Sequence, residues 1–262
     1  MKPLFLASTF ALTFTALPAL SQTKPTPAQK AVPSALVQEL VLANHILATE
    51  GVLDAYGHVS VRDPSNANHY WLAKHMAAGV VTPADIIEYD LDSKPVSGDP
   101  SAGYTERFIH GEIYRARPDV MAVVHCHSPD LVPFSVSSAP LRPVYHMAGF
   151  LETPVPIFEI RSAAGLTDML IRNPELGKAL AQTLGQKPAA LMRGHGAVVV
   201  APSLHVVAGR AYYMNMNAKL QLQAIQLGGS VTYLDPEEAK KTGAQDGFER
   251  AWDLWKHKVG AK

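Results

Sequence analysis

The sequence has a single cysteine and no excess of charge of either sign. With only Cys126 among 262 residues, an internal disulfide is excluded, so the fold is not stapled. Lys and Arg together number 23, as do Asp and Glu, and no basic run stands out. This balance gives no electrostatic reason to bind nucleic acid or an acidic membrane surface. We therefore expect neither as a partner.

Long apolar runs are missing beyond the first 21 residues. Within residues 1–21, a positive start is followed by an apolar stretch from Leu4 to Leu20 and by small residues around Ser21. This layout predicts a secretory signal peptide cleaved near Ser21, and hence an exported, periplasmic protein. A buried helix or a membrane anchor is the alternative, but Pro18 and the polar residues that follow make the run too short to span a bilayer comfortably.

The rest of the chain predicts a short linker and one folded body. Residues 22–33 carry several prolines and predict a linker. Residues 34–262 have length enough for one sizeable core. Helical spacing and capping residues predict helices at 34–50, 105–116, 175–185, 203–227 and 245–258, with a short one opening at Pro129. Apolar and alternating runs predict strands at 59–62, 70–72, 86–91, 121–127, 155–160, 189–192 and 197–200. This mixture predicts one α+β or layered α/β/α domain.

Two histidines separated by one residue, His125 and His127, are the sharpest local feature. On a strand, residues i and i+2 point to the same face, so the two imidazoles can share one metal ion while Cys126 points into packing. The spacing suits zinc, manganese, cobalt or iron. The alternative is a pair of polar residues at the exposed end of a core strand.

A third histidine and a carboxylate extend this pattern. His195 lies between Gly194 and Gly196, and glycines let the backbone approach a ligand closely. A third imidazole there would complete a three-histidine site with an open position, which is the catalytic arrangement. Glu106, near the start of a predicted helix, can ligate the metal or move a proton. The ordinary interpretations are a turn histidine and a glutamate favoured by the helix dipole.

The motifs also occur in a recognisable order. They are Gly57-His58-Val59-Ser60, Thr82-Pro83, Glu106 with His110 one turn later, His125-Cys126-His127 and Gly194-His195-Gly196. Over about residues 35–230 this order resembles the class II aldolase/adducin family, which includes sugar-phosphate aldolases, an epimerase and several decarboxylases. The resemblance implies an α/β fold, a three-layer α/β/α single domain with a central, mainly antiparallel sheet.

The resemblance also implies the site and the assembly. The metal ligands carried over are His125, His127 and His195, and the catalytic acid/base carboxylate is Glu106. The assembly implied is a homotetramer with active sites between neighbouring subunits.

Three positions depart from the sugar-phosphate members of the family. His58 replaces an asparagine and Tyr104 a serine that help to hold phosphate, and Asp85 replaces a glycine. A carboxylate there repels phosphate. We therefore expect a non-phosphorylated substrate, with His58, Ser60 and Thr105 as substrate-binding residues.

The residue expected at the position of the family's proton donor also differs from the aldolase pattern. The family's aldolases use a tyrosine lent by a neighbouring subunit, and an ungapped count from His127 reaches His146, with Tyr145 beside it. An imidazole can donate a proton near neutral pH and can bind a carboxylate. This composition looks closer to the family's decarboxylases, so His146 and Tyr145 are predicted catalytic residues. Interface packing is the alternative.

The sequence thus predicts an enzyme, a metal-dependent carbon–carbon lyase. Its substrate would be a small non-phosphorylated hydroxy/oxo acid or hydroxy-aromatic acid, cleaved by decarboxylation or by a retro-aldol reaction. Its cofactor would be one divalent transition metal ion, zinc first, then manganese, cobalt or iron. The alternatives are a sugar-phosphate aldolase or epimerase, and a non-catalytic binding protein like the adducin head. A scaffold, however, has no physical need to keep three histidines and a glutamate together.

Overall fold

A computed structural model describes residues 34–96, 103–151, 154–244 and 247–261, together with Met1. The chain divides into two units, Met1–Lys30 and Ala31–Lys262. The predicted signal peptide, apart from Met1, and the whole of the predicted linker lie outside the described residues, so both stay predictions. Every helix and strand given below belongs to the second unit.

Seven strands of the described residues form one sheet at the centre of this unit. They are β1 (His58–Arg62), β2 (His69–Ala73), β3 (Ile86–Asp90), β4 (Ala122–Cys126), β5 (Ile157–Phe158), β6 (Ala189–Met192) and β7 (Gly196–Ala201). The spatial order is β3-β2-β1-β4-β7-β6-β5. Neighbours are antiparallel except β5 and β6, which are parallel. The predicted, mainly antiparallel sheet is confirmed.

Helices cover both faces of this sheet. They are α1 (Ser34–Thr49), α2 (Phe108–Ala116), α3 (Val132–Val136), α4 (Ile160–Ala164), α5 (Pro174–Leu184), α6 (Leu204–Gln226), α7 (Pro236–Gly243) and α8 (Glu249–Lys258). The Ser60 hydroxyl in β1 contacts Tyr114 of α2, so even-numbered β1 residues face the layer of α2 and α5. Val59 and Val61 therefore face the layer of α1 and α6. The three-layer α/β/α prediction is confirmed.

Capping side chains mark the N-termini of two helices, the predicted α6 and the unpredicted α7. The Ser203 side chain accepts the N–H of Val206, as predicted for the N-cap of α6. Asp235 and Glu238 form a capping box at the start of α7. A capping signal for α7 was therefore present in the sequence, although no helix was predicted there. The last helix, α8, was predicted to begin at 245 but begins at Glu249.

Three other predicted boundaries were wrong. The helix predicted at 105–116 begins only at Phe108, because residues 105–107 form a turn. The strand predicted at 155–160 is limited to Ile157–Phe158, and α4 begins at Ile160. The short helix begins at Val132 rather than at Pro129, with Pro133 in its first turn, where the missing N–H costs nothing.

Candidate metal centre and active site

The sheet register brings the three predicted metal ligands to one end of two strands. His125 is the fourth residue of β4, and His127 follows directly after the strand. His195 lies in the tight connection between β6 and β7, where Met192 pairs with Gly196. Because Cys126 of β4 pairs with Ala197 of β7, that connection lies beside His127. Residues 70 positions apart in the chain therefore meet.

A close backbone contact fixes this meeting and requires glycine. A Cβ added to Gly196 would come 1.9 Å from the carbonyl oxygen of Cys126, far inside van der Waals contact. Gly194 has a φ of +63°, a conformation that side chains with a Cβ rarely adopt. Its N–H donates to the Ser135 hydroxyl at 2.9 Å. A close backbone contact thus requires glycine at position 196, and a positive φ favours glycine at position 194.

The three imidazoles present the same ring nitrogen to one point. The Nε2 atoms of His125 and His127 are 3.1 Å apart, and so are those of His127 and His195. One ligand atom from each of the three histidines and from Glu106 lies within 4.8 Å of all the others. In a tetrahedral zinc site with bonds of 2.0–2.1 Å, neighbouring ligand atoms are about 3.3 Å apart. The cluster has the dimensions that a metal ion requires.

The other ring nitrogens show which tautomer each histidine adopts. Nδ1 of His125 contacts the carbonyl oxygen of Ala197 at 3.1 Å, and Nδ1 of His195 that of Met169 at 3.0 Å. Nδ1 of His127 faces the Asp54 carboxylate at 3.1 and 3.2 Å. Carbonyls and carboxylates only accept, so each Nδ1 carries the proton and each Nε2 keeps a lone pair.

Three lone pairs directed at one point are the donor set of a divalent transition metal. His125, His127, His195 and Glu106 therefore fit a metal ion in both distance and chemistry. The roles of the three histidines as ligands and of Glu106 as the acid/base carboxylate stay predictions, while the structure does bring all four together.

Glu106 enters the cluster from a turn, not from the first turn of a helix as predicted. The N–H of Ile171 donates to its Oε1 at 2.8 Å. That bond directs Oε2 toward Nε2 of His195 at 3.4 Å and Nε2 of His125 at 3.5 Å. The helix dipole therefore does not explain this glutamate, whereas the cluster does.

The electrostatics of the cluster favour an ionised carboxylate. Burial alone would raise the pKa of Glu106, but the imidazoles of His125 and His195 outweigh burial and hold it well below its usual range. Burial lowers the pKa of His125 despite that carboxylate. The buried Cys126 thiol, which points to the other face of the sheet, has its pKa raised by burial to about 11. Its orientation, away from the cluster and into packing, is the reason not to count it as a ligand.

A buried chain of hydrogen bonds begins at His58, beside the cluster, and runs into the core. The His58 ring lies 5.2 Å from that of His125, and its Nδ1 contacts Nε2 of His110 at 2.7 Å. Nδ1 of His110 contacts the Ser60 hydroxyl at 2.6 Å, and that hydroxyl contacts the Tyr114 hydroxyl at 2.8 Å. Burial lowers the pKa of His58 well below its usual value and that of His110 to about 3, so both rings are neutral.

This chain changes the interpretation of two predicted substrate-binding residues. Ser60 is fully buried and its hydroxyl is shared between His110 and Tyr114, so it supports His110 rather than offering a free hydroxyl to a substrate. His58 is 1% exposed but adjoins His125, so of the two it alone adjoins a predicted ligand. Thr105 is exposed beside Glu106, a position that suits substrate contact.

The positions that depart from the sugar-phosphate pattern are filled or neutralised. The Tyr104 ring packs against His58 at 4.4 Å, and its hydroxyl donates to the carbonyl oxygen of Met76 at 2.5 Å. Asp85 does not present an isolated charge, because it pairs with Lys74 at 2.5 Å and accepts the N–H of Thr82. The expected repulsion by Asp85 is therefore weakened, and the stronger reason against phosphate is the bulk of Tyr104.

The predicted proton donors lie on a different part of the chain. Tyr145 and His146 have ring centroids 4.9 Å apart, and Tyr145 lies 6.1 Å from Tyr213 of α6. His146 is exposed. Within the described residues, no hydrogen bond or ring contact joins either residue to the cluster, so their catalytic role stays a prediction.

Two contributors to the site were missed from the sequence. Asp54 accepts the N–H groups of Tyr56 and Gly57 in a turn before β1, and such a turn is a readable signal for aspartate. Its contact with His127, however, depends on the pairing of β1 with β4. The loop that carries Met169 and Ile171 gave no sequence signal, because it acts through backbone atoms.

A large cavity lies elsewhere. It has a volume of about 780 Å³ and adjoins Val200 and Ala201, at the end of β7 remote from His195. Its other walls include Arg142, Phe150 and Lys240. The geometry of the four clustered side chains, rather than the size of a cavity, therefore marks the site.

Comparison with known proteins identifies the family and the fold. The sequence model of the Class II Aldolase and Adducin N-terminal domain matches residues 38–222. Decarboxylase tropJ of Talaromyces stipitatus is 35% identical over 85% of this chain and 93% of its own. The 3,4-dihydroxyphthalate decarboxylase of Arthrobacter keyseri is 29% identical over 85% of this chain and 92% of its own. The L-fuculose 1-phosphate aldolase of Glaciozyma antarctica shares the fold, with a TM-score of 0.72 and 24% identity over 91% of this chain and 95% of its own.

The chain belongs to the class II aldolase and adducin family. The predicted family is confirmed, and relatives named as decarboxylases and aldolases bear out the prediction of an enzyme of this class. Among the helices of the described ranges, none combines the length and the hydropathy needed to cross a bilayer.

Proposed function

We propose that the chain is a metal-dependent carbon–carbon lyase that decarboxylates a small, non-phosphorylated hydroxy-aromatic acid. The observation that carries this proposal is the convergence of three Nε2 lone pairs beside the Glu106 carboxylate. The kinship with decarboxylases, one of them named for an aromatic dihydroxy acid, supports the reaction and the substrate class.

In this proposal, three histidines bind the metal and one glutamate transfers the proton. His125, His127 and His195 hold the metal, and their Nδ1 acceptors fix the rings in the binding tautomer. A divalent metal there supplies Lewis-acid stabilisation of the negative charge that develops as the carbon–carbon bond breaks. Glu106, held through Oε1 by Ile171, presents Oε2 to the cluster, where it can accept a proton from the substrate and return it.

The surroundings of the cluster support a non-phosphorylated ring. Tyr104 occupies with its ring the position where sugar-phosphate members have a small hydroxyl residue, and its own hydroxyl is committed to Met76. Burial raises the pKa of that phenol to about 12, so it stays uncharged. A phosphate dianion would meet an aromatic surface there rather than hydrogen-bond donors, which costs desolvation without compensation.

The proposed enzyme is also a zinc-dependent homotetramer that is exported to the periplasm. Zinc is the metal we favour, because three imidazoles and an open position are its usual catalytic set. A homotetramer is favoured because Tyr145 and His146 contact no cluster residue within the described part of their own chain. Export to the periplasm after cleavage near Ser21 follows from the N-terminal sequence. Metal analysis, native mass spectrometry and N-terminal sequencing of the secreted protein test them in turn.

The decisive test of the reaction is a substrate panel with the zinc-loaded full chain. Dihydroxyphthalate-type and other hydroxybenzoic acids are assayed for CO₂ release, and non-phosphorylated aldols and a sugar phosphate for aldehyde release. We expect CO₂ from at least one aromatic acid, abolished by a chelator and restored by metal. Aldehyde release alone, without CO₂ from any acid, would replace decarboxylation with retro-aldol cleavage.

A further inference from the structure

The loop between α4 and α5, residues 165–172, contacts two members of the cluster through its backbone. The carbonyl oxygen of Met169 accepts the Nδ1–H of His195 at 3.0 Å. Two residues later, the N–H of Ile171 donates to Oε1 of Glu106 at 2.8 Å. One short segment therefore orients a predicted metal ligand and the predicted acid/base carboxylate together.

The shape of this loop depends on a left-handed turn at Met169. The φ of Met169 is +70°, which is uncommon for a residue with a Cβ. Such a conformation persists only when its surroundings hold it, and it is found preferentially at functional sites. Here it directs the carbonyl at the His195 ring.

Side chains within the loop hold that turn. The Thr167 hydroxyl accepts the N–H of Met169 at 2.9 Å, and the Asp168 carboxylate accepts the N–H of Leu170 at 3.2 Å. The guanidinium of Arg172 pairs with the same carboxylate. Residues 165–168 are exposed whereas Ile171 is fully buried, so hydrogen bonds rather than core packing hold the first half of the loop.

We propose that this loop is a positioning element for the metal site, in which Thr167 and Asp168 hold the left-handed turn that aims the Met169 carbonyl at His195. The proposal rests on the proposed function, since it assumes that His195 binds the metal. If the carbonyl turned away, Nδ1 of His195 would lose its acceptor. The imidazole could then place its proton on Nε2, the nitrogen that must be unprotonated to bind a metal.

The first experiment measures metal affinity rather than activity. Co²⁺ and Zn²⁺ are titrated into the metal-free full chain against a competing chelator, for the wild type and for Thr167→Val/Asp168→Ala. We expect an affinity about 10–100-fold lower in the variant, the usual effect of losing an outer-shell partner. Thr167→Ser, which keeps the hydroxyl, should bind like the wild type.

A matched turn elsewhere provides the control. The Asn66 side chain accepts the N–H of Asn68 at 3.1 Å in a surface turn of the same kind. Asn66→Ala should leave the metal affinity unchanged. Thermal unfolding of the metal-free variants shows whether any loss of affinity is only a loss of fold. The inference is overturned if Thr167→Val/Asp168→Ala binds both metals as tightly as the wild type.

A second pair of variants isolates the turn from the Met169 side chain. Both Met169→Gly and Met169→Val remove the Met169 Cε methyl, which lies 3.2 Å from where a Cβ on Gly194 would stand, but glycine adopts a positive φ readily and valine resists it. We expect Met169→Gly to keep most of the affinity and Met169→Val to lose about as much as the double variant. Equal losses would overturn the role of the turn. If the wild type bound neither metal, that result would instead contradict the proposed function itself.

Discussion

The two faces of strands β1 and β4 are buried equally but built from different chemistry. Toward α1 and α6 the paired residues are apolar, as where Val59 lies opposite Val124. Toward α2 the same strands carry His58 opposite His125, and Ser60 opposite Val123. The apolar face only has to fill space, whereas each buried polar group on the other face needs a specific partner.

The difference between the two faces shows how this fold orients a reactive cluster without exposing it. A neutral buried imidazole costs free energy unless its ring nitrogens are hydrogen-bonded. His110 meets that requirement through His58 and Ser60, and Nδ1 of His125 through Ala197. The partners that make burial tolerable also fix the ring orientations. Substitutions at the cluster, in the buried hydrogen-bonded chain and on the apolar face should separate these contributions.

Removing the charge of Glu106 should have the largest effect of the three on catalysis. Glu106→Gln keeps an oxygen for the Ile171 N–H but cannot accept and return a proton, so kcat should fall roughly 10²- to 10⁴-fold. The three histidines remain, so metal content should be retained. Glu112→Gln, a buried carboxylate on α2 paired with Arg115, is the control and should be fully active. Full activity of Glu106→Gln would remove this residue from the chemistry.

Breaking the buried chain should cost stability. Ser60→Ala leaves Nδ1 of His110 and the hydroxyl of Tyr114 without their shared partner, so the free energy of unfolding should fall by about 1–3 kcal/mol. Urea unfolding of the metal-free protein at neutral pH measures it. Ser65→Ala, in an exposed turn, should cost much less. If both substitutions cost the same, the hydrogen-bonded chain does not stabilise the core.

The apolar face should respond least. Cys126→Ala, between two predicted ligands in sequence but on the other side of the strand, should leave metal content and activity unchanged. Its cost should be about 1 kcal/mol of stability, from the lost packing of a fully buried side chain. Metal analysis and thermal unfolding on one sample check both parts. Loss of metal from this variant would mean that the thiol faces the cluster, contrary to the strand alternation.

Local patterns predicted much of this molecule. The spacing of His125 and His127 needs only the two-residue repeat of a strand, and the ordered motifs carried the family and the layered fold. Helix α6 could be placed because Ser203 is a side-chain cap. Where a residue's role depends on its immediate neighbours, the sequence is sufficient.

Contacts between distant segments were beyond reach. Ser60 was predicted to meet the substrate, yet the packing of α2 on β1 commits its hydroxyl to His110 and Tyr114. Asp54 reaches His127 only through strand pairing, and Met169 acts through a carbonyl that any residue has. The proposed roles of Tyr145 and His146, which assume a neighbouring subunit, stay predictions.

The metal content of the purified protein decides whether the histidine cluster is a metal centre. The purified full chain is loaded with zinc, dialysed and analysed beside the His125→Ala/His195→Ala double variant. Convergence of three imidazoles predicts about one metal ion per chain in the wild type and none in the variant. A wild type that retains no metal after reconstitution, or a variant that retains as much as the wild type, would contradict the metal centre and the lyase proposed on it.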